Sequence, residues 1–96
     1  MPKAEISWRR LDEQGEKLQV YAHHFGKQWL FYARHRRYDR WIPQENPPLE
    51  DWMELLDAVR RMVPRRRLPP DEILRVEKAI LERFPDAELP AAEFRG

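Results

Sequence analysis

Residues 43 to 48 place Pro43, Pro47 and Pro48 within six positions. Each proline lacks an amide hydrogen and holds a fixed φ, so neither a β-ladder nor a helix interior runs through this segment undisturbed. The chain must turn here. Before the seam, aromatic and polar residues alternate with a period near two; after it, apolar residues recur every three or four. The pattern predicts an α+β fold, with an antiparallel three- to four-stranded meander over about 5–42 and two C-terminal helices, about 48–63 and 70–84, packed on one face. A chain this short makes one domain, expected over 1–85, and the aperiodic residues 86–96 read as a flexible tail.

In the first part, Ile6, Trp8 and Arg10 alternate with Ser7, Arg9 and Leu11, and a loop containing Gly15 follows. A second run, 17–25, meets a third, 28–36, across Gly26 and Lys27, where a leading glycine suits a type II′ hairpin turn. Counting from that turn sets His24 opposite Trp29, Ala22 opposite Phe31 and Val20 opposite Ala33. Carried through the first loop, the count sets Trp8 against Val20 and Ile6 against Ala22. One face then carries Ile6, Trp8, Val20, Ala22, Trp29, Phe31 and Ala33, and the other carries Gln19, Tyr21, His23, Leu30, Tyr32 and Arg34. A fourth strand is expected around Arg40, Trp41 and Ile42, but the stretch RHRRYDR at 34–40 permits several loop lengths and leaves the facing of Trp41 open.

Beyond the seam, Asn46 is a reasonable N-cap, and Leu49, Trp52, Met53, Leu56, Val59 and Val63 form one helical stripe. Glu50, Asp51 and Glu54 suit the positive end of the helix dipole, Arg60 and Arg61 the negative end, and Pro64 stops the helix. The second helix starts near Pro70 with Asp71 and Glu72 in its first turn, buries Ile73, Val76, Ile80 and Phe84, and stops at Pro85.

Bulk composition excludes several classes. Without cysteine there is no disulfide, thiol nucleophile or thiolate metal site, which suits a reducing cytoplasm. No apolar run is long enough for a signal peptide or a transmembrane helix, so no membrane partner is expected. The net charge of +1 gives little general attraction to nucleic acid. Fourteen of the eighteen basic residues are arginine, which suits bidentate contacts, although a GC-rich bacterial genome produces the same bias.

Neither a catalytic site nor a cofactor site is expected. His23 and His24 are adjacent on a strand and point to opposite faces, and His35 falls at the far end of the hairpin, so the histidines assemble no metal site. The acids Glu50, Asp51, Glu54 and Asp57 are better explained by the helix dipole than by acid–base chemistry. Ser7 is the only serine, threonine is absent, and no phosphate loop, nucleophile elbow or dinucleotide fingerprint occurs.

Two features carry the functional expectation. The mixed sheet face, with Tyr21, His23, Leu30, Tyr32 and Arg34, has the aromatic and arginine composition of a protein interface. The arginine clusters, with Arg36, Arg37 and Arg40 in one loop and Arg65, Arg66 and Arg67 in the other, are candidate phosphate contacts. The reading is a small non-enzymatic binding domain that recognises a protein partner or a second copy of itself. The alternative is a nucleic-acid binder that uses the arginine loops and stacks bases on Tyr21 and Tyr32.

Overall fold

The computed structural model describes residues 5–90, and the expected tail falls largely outside them. The described residues form an α+β fold of four strands followed by two helices. They group into two compact units that divide between Pro47 and Pro48, at the proline seam.

The first unit is an antiparallel meander in the order β1 (Glu5–Leu11), β2 (Lys17–Phe25), β3 (Gln28–Arg34) and β4 (Ile42–Gln44). The counted register holds at every pair: Trp8 faces Val20, Ile6 faces Ala22, Ala22 faces Phe31, and His24 faces Trp29. Its origin is the turn at Gly26, whose φ of 61° is open to glycine at no steric cost. Arg66 is the only non-glycine with positive φ among the described residues, so Lys27 has negative φ and the turn is type II′ rather than I′. The apolar face is the buried one. Val20, Ala22, Phe31 and Ala33 retain at most 5% exposure, and Trp8 meets Phe31 edge-on at 6.2 Å.

The fourth strand departs from the expected segment. It runs from Ile42 to Gln44 and leaves Arg40 and Trp41 ahead of it. Pro43 lies inside the ladder opposite Tyr32, at a sheet edge, where one side of a strand needs no donor. The preceding loop is short because Asp39 closes it: the Arg36 amide donates to Asp39 Oδ2 at 3.0 Å, and the Asp39 amide donates to the Arg36 carbonyl at 2.9 Å.

The second unit is a pair of helices, α1 (Leu49–Met62) and α2 (Asp71–Arg83). Asn46 does not cap α1. The N-cap position is Pro48, with φ −67° and ψ 162°, and no side chain caps it, since the extended conformation that proline favours already sets the entry. The buried face is wider than a narrow stripe: Leu55 and Ala58 join Trp52, Leu56 and Val59. Asp51 and Glu72, first-turn acids of the two helices, are buried, and Arg75 Nη1 donates to Glu72 Oε2 at 2.7 Å.

Contacts between the helices run antiparallel. Arg60 Nη2 near the end of α1 donates to Glu77 Oε2 at 2.8 Å, and the Arg83 guanidinium near the end of α2 lies 4.8 Å from the Trp52 ring near the start of α1. After α1 the Arg67 amide donates to the Met62 carbonyl and the Arg66 amide to the Val63 carbonyl, with Arg66 at φ 59°. This is the double closure of a Schellman motif, with arginine where glycine is usual.

Candidate functional site

Because strand residues alternate between faces, the paired register sorts the mixed face of the sheet into three cross-strand rows. Glu5, His23 and Leu30 form the first, Ser7, Tyr21, Tyr32 and Pro43 the second, and Arg9, Gln19 and Arg34 the third. All five residues expected to meet a partner, Tyr21, His23, Leu30, Tyr32 and Arg34, share this surface. Trp41 joins it. One position beyond the last β3–β4 pair, it stands beside Arg34 at the end of the third row.

The centre of the surface is an aromatic cluster with settled geometry. Tyr21 and Tyr32 stack nearly parallel, 4.8 Å between ring centroids at 15°, and Trp41 meets Tyr21 at 4.6 Å and 80°. Stacked and edge-to-face arrangements both satisfy the ring quadrupoles. The Arg34 guanidinium lies 4.1 Å over the Trp41 ring, its Nε–H donates to Gln19 Oε1 at 2.8 Å, and Nη1 makes a longer contact with the Asp39 carbonyl at 3.4 Å. Burial, with the nearby Tyr32 and Glu5 as lesser causes, raises the Tyr21 hydroxyl above its ordinary pKa of 10.0. Leu30 stays 36% exposed at the margin, and His23 Nδ1 lies 3.6 Å from Glu5 Oε1.

Beside the cluster, Arg9, Arg34 and Arg37 converge with Ser7, Gln19 and Trp41 on a pocket of about 360 Å³. Arg9 and Arg37 also line a neighbouring pocket of about 560 Å³, together with Arg10, Lys17 and His35. Among the described residues, no carboxylate lies within ion-pair distance of Arg9, Arg34 or Arg37. The remaining arginine candidates are not gathered here. Arg36 donates to the Tyr38 hydroxyl at 2.7 Å, Arg40 is exposed ahead of β4, and Arg65, Arg66 and Arg67 belong to the loop after α1. Arg66 and Arg67 line a separate pocket of about 510 Å³ with the prolines of that loop.

A second polar constellation escapes a reading by spacing alone. The His35 Nε2–H donates to Asp12 Oδ2 at 2.8 Å, and Glu16 Oε2 lies 4.0 Å from the same nitrogen. One ligand-type atom from each of the three residues falls within 4.8 Å of the others. Asp12 is engaged on both oxygens, because its Oδ1 also accepts the amides of Gln14 and Glu16 at 2.9 Å each. The constellation is a turn clasp, in which the carboxylate closes the β1–β2 loop and a histidine beyond β3 secures it. His35 foremost, then the Glu16 amide, hold the Asp12 carboxyl below its ordinary pKa of 3.8.

No family model matches the chain, and neither a curated protein nor a solved structure matches it significantly. Arg9 was within reach of the sequence, since the two turn counts that align Tyr21 with Tyr32 also align Arg9, Gln19 and Arg34. Trp41 was not, because its facing depends on the closure of the loop at Asp39.

Proposed function

We propose that this chain is a non-enzymatic protein-recognition domain of the cytoplasm, whose mixed sheet face docks an acidic segment of a partner protein. The observation that carries the reading is the ordered cluster of Tyr21, Tyr32, Trp41 and Arg34 on one side of the sheet. Tyrosine, tryptophan and arginine dominate interface hot spots, and side chains already held in place lose little entropy on docking. Leu30 supplies apolar margin. The arginines beside the cluster make an acidic occupant the complementary one. A second copy bound face to face about a two-fold axis would set these arginines against their own images.

The nucleic-acid reading draws support from the same arginines but less from the rings. Tyr21 and Tyr32 each spend one face on the other, and Arg34 covers one face of Trp41, so fewer ring faces remain for bases than three open rings would offer.

The test is selection of a displayed random-peptide library against the purified chain, followed by NMR mapping of enriched peptides. Acidic peptides that shift Tyr21, Leu30, Tyr32 and Trp41, and that lose about tenfold or more in affinity on Trp41→Ala, are the expected result. Peptides that map elsewhere would overturn it, as would a concentration-dependent dimer mass abolished by the same substitution.

A further inference from the structure

The pocket beside the aromatic cluster has a charge pattern that packing does not explain. Arg9 and Arg34 flank Gln19 in one cross-strand row, and Arg37 comes in from the loop. Like charges on one face repel, and a chain with seventeen acidic residues has ample means to intersperse them. Here it does not: among the described residues, carboxylates meet His23, His35, Arg60, Arg61 and Arg75, and none lies within ion-pair distance of Arg9, Arg34 or Arg37. Arg34 is also prepared for a ligand. Trp41 and Gln19 hold its guanidinium in place, and among the described residues no hydrogen bond engages Nη2.

We infer that Arg9, Arg34 and Arg37 form a subsite for a phosphoryl group carried on a side chain of the protein partner, an inference that rests on the protein-recognition reading. Three guanidinium groups exceed what one carboxylate needs, whereas a phosphorylated side chain brings about −1.5 to −2 charges and three acceptor oxygens at neutral pH. Ser7 and Gln19 add polar groups to the wall, and the pocket volume of about 360 Å³ accommodates a single such group with its side-chain stem. The Trp41 and Tyr21 rings would then contact the residues flanking the phosphorylated position. A nucleic-acid backbone is the less favoured source of the phosphate, because one face of each flanking ring is already occupied and fewer remain for its bases.

The experiment is an NMR titration of the full chain, read at backbone amides and arginine Nε–H signals, with inorganic phosphate and, at matched ionic strength, with acetate or chloride. Saturable shifts at Arg9, Arg34 and Arg37 with phosphate, at least about fivefold weaker with acetate, are expected. Arg9→Gln and Arg37→Gln should each weaken phosphate binding by about fivefold or more while the dispersed spectrum of the folded chain is retained. Equal, non-saturating shifts with all three anions would overturn the subsite. An oligothymidylate strand that competes with phosphate and binds about a hundredfold tighter would transfer the subsite to nucleic acid and overturn the peptide source. Failure of the two readings is distinguishable: peptides that bind through Trp41 without phosphate binding sink the subsite alone, and phosphate binding without any selected peptide sinks protein recognition and with it the peptide source, leaving a bare anion subsite.

Discussion

The Arg34 guanidinium rests 4.1 Å above the ring of Trp41, so a loop residue whose facing the sequence leaves open becomes the support of a strand arginine. Replacing Trp41 with leucine keeps apolar bulk but removes the ring's negative face. At this half-exposed position the change should cost about 0.5 to 1 kcal/mol from the cation–π contact, with a further loss from edge packing on Tyr21. Urea denaturation measures it. Faster exchange of the Arg34 Nε–H with solvent in the variant would show that the guanidinium has been released; an unchanged rate would contradict the support role.

Tyr21 confers an alkaline limit. Its hydroxyl pKa is raised in the folded chain, so above 10.0 the unfolded state gives up this proton first. The contribution is complete below pH 10.0 and is lost as pH climbs toward the raised folded value. The Tyr21→Phe variant should therefore show a flatter alkaline limb than the parent in stability measured above pH 10. Parallel limbs would refute the assignment.

Asp12 does the same on the acid side with the opposite sign. A carboxyl held below 3.8 stabilises the fold above that pH, and the contribution disappears as pH falls below it toward the folded value. Asp12→Asn should flatten the acid limb of the stability curve, and His35→Gln should flatten it in part, since the imidazole is the foremost cause of the depression. Acid titration followed by circular dichroism decides this.

The helical unit depends on a charged hydrogen bond that is only partly reached by water. Arg60 and Glu77 retain 17% and 24% side-chain exposure, so Glu77→Gln weakens a charge-assisted contact and should cost roughly 1 to 2 kcal/mol, below the range for fully buried pairs. The exposed pair Arg61–Asp57, on one helix face, should be nearly silent when Asp57 becomes asparagine, at about 0.3 to 0.5 kcal/mol. Comparable losses from the two substitutions would contradict this ordering.

Arg66 occupies the left-handed region at φ 59°, where a Cβ is unfavourable. Arg66→Gly should stabilise the chain by about 0.5 to 1 kcal/mol because the native backbone there already suits glycine. A higher melting temperature on calorimetry is the expected outcome, and a lower one would mean that the arginine side chain outweighs its backbone cost.

The sheet was legible to the extent that its turns were. Gly26 sets one hairpin, the Asp12–Gly15 loop sets the next, and period-two alternation does the rest, which is why Tyr21 and Tyr32 could be paired by counting. The loop between β3 and β4 defeated counting, because its length depends on a side-chain bond from Asp39 that spacing does not reveal. Asn46 is a good N-cap by residue type, yet Pro48 takes that place, since a proline pair already imposes the extended entry. Asp51 and Glu72 stand in first turns as read, but their burial was not legible: acids there satisfy the dipole whether solvated or buried, and composition does not separate the two. The site was legible as a face; its arginine pocket required the loop that carries Arg37.

Pro43 has one more effect, on the two rims of the sheet. With only three residues and no amide hydrogen at its middle position, β4 is a poor template for an incoming strand, whereas β1 runs for seven residues. Sheet extension is thus disfavoured at the β4 rim, and fibre growth, which needs both rims of every chain, is disfavoured with it.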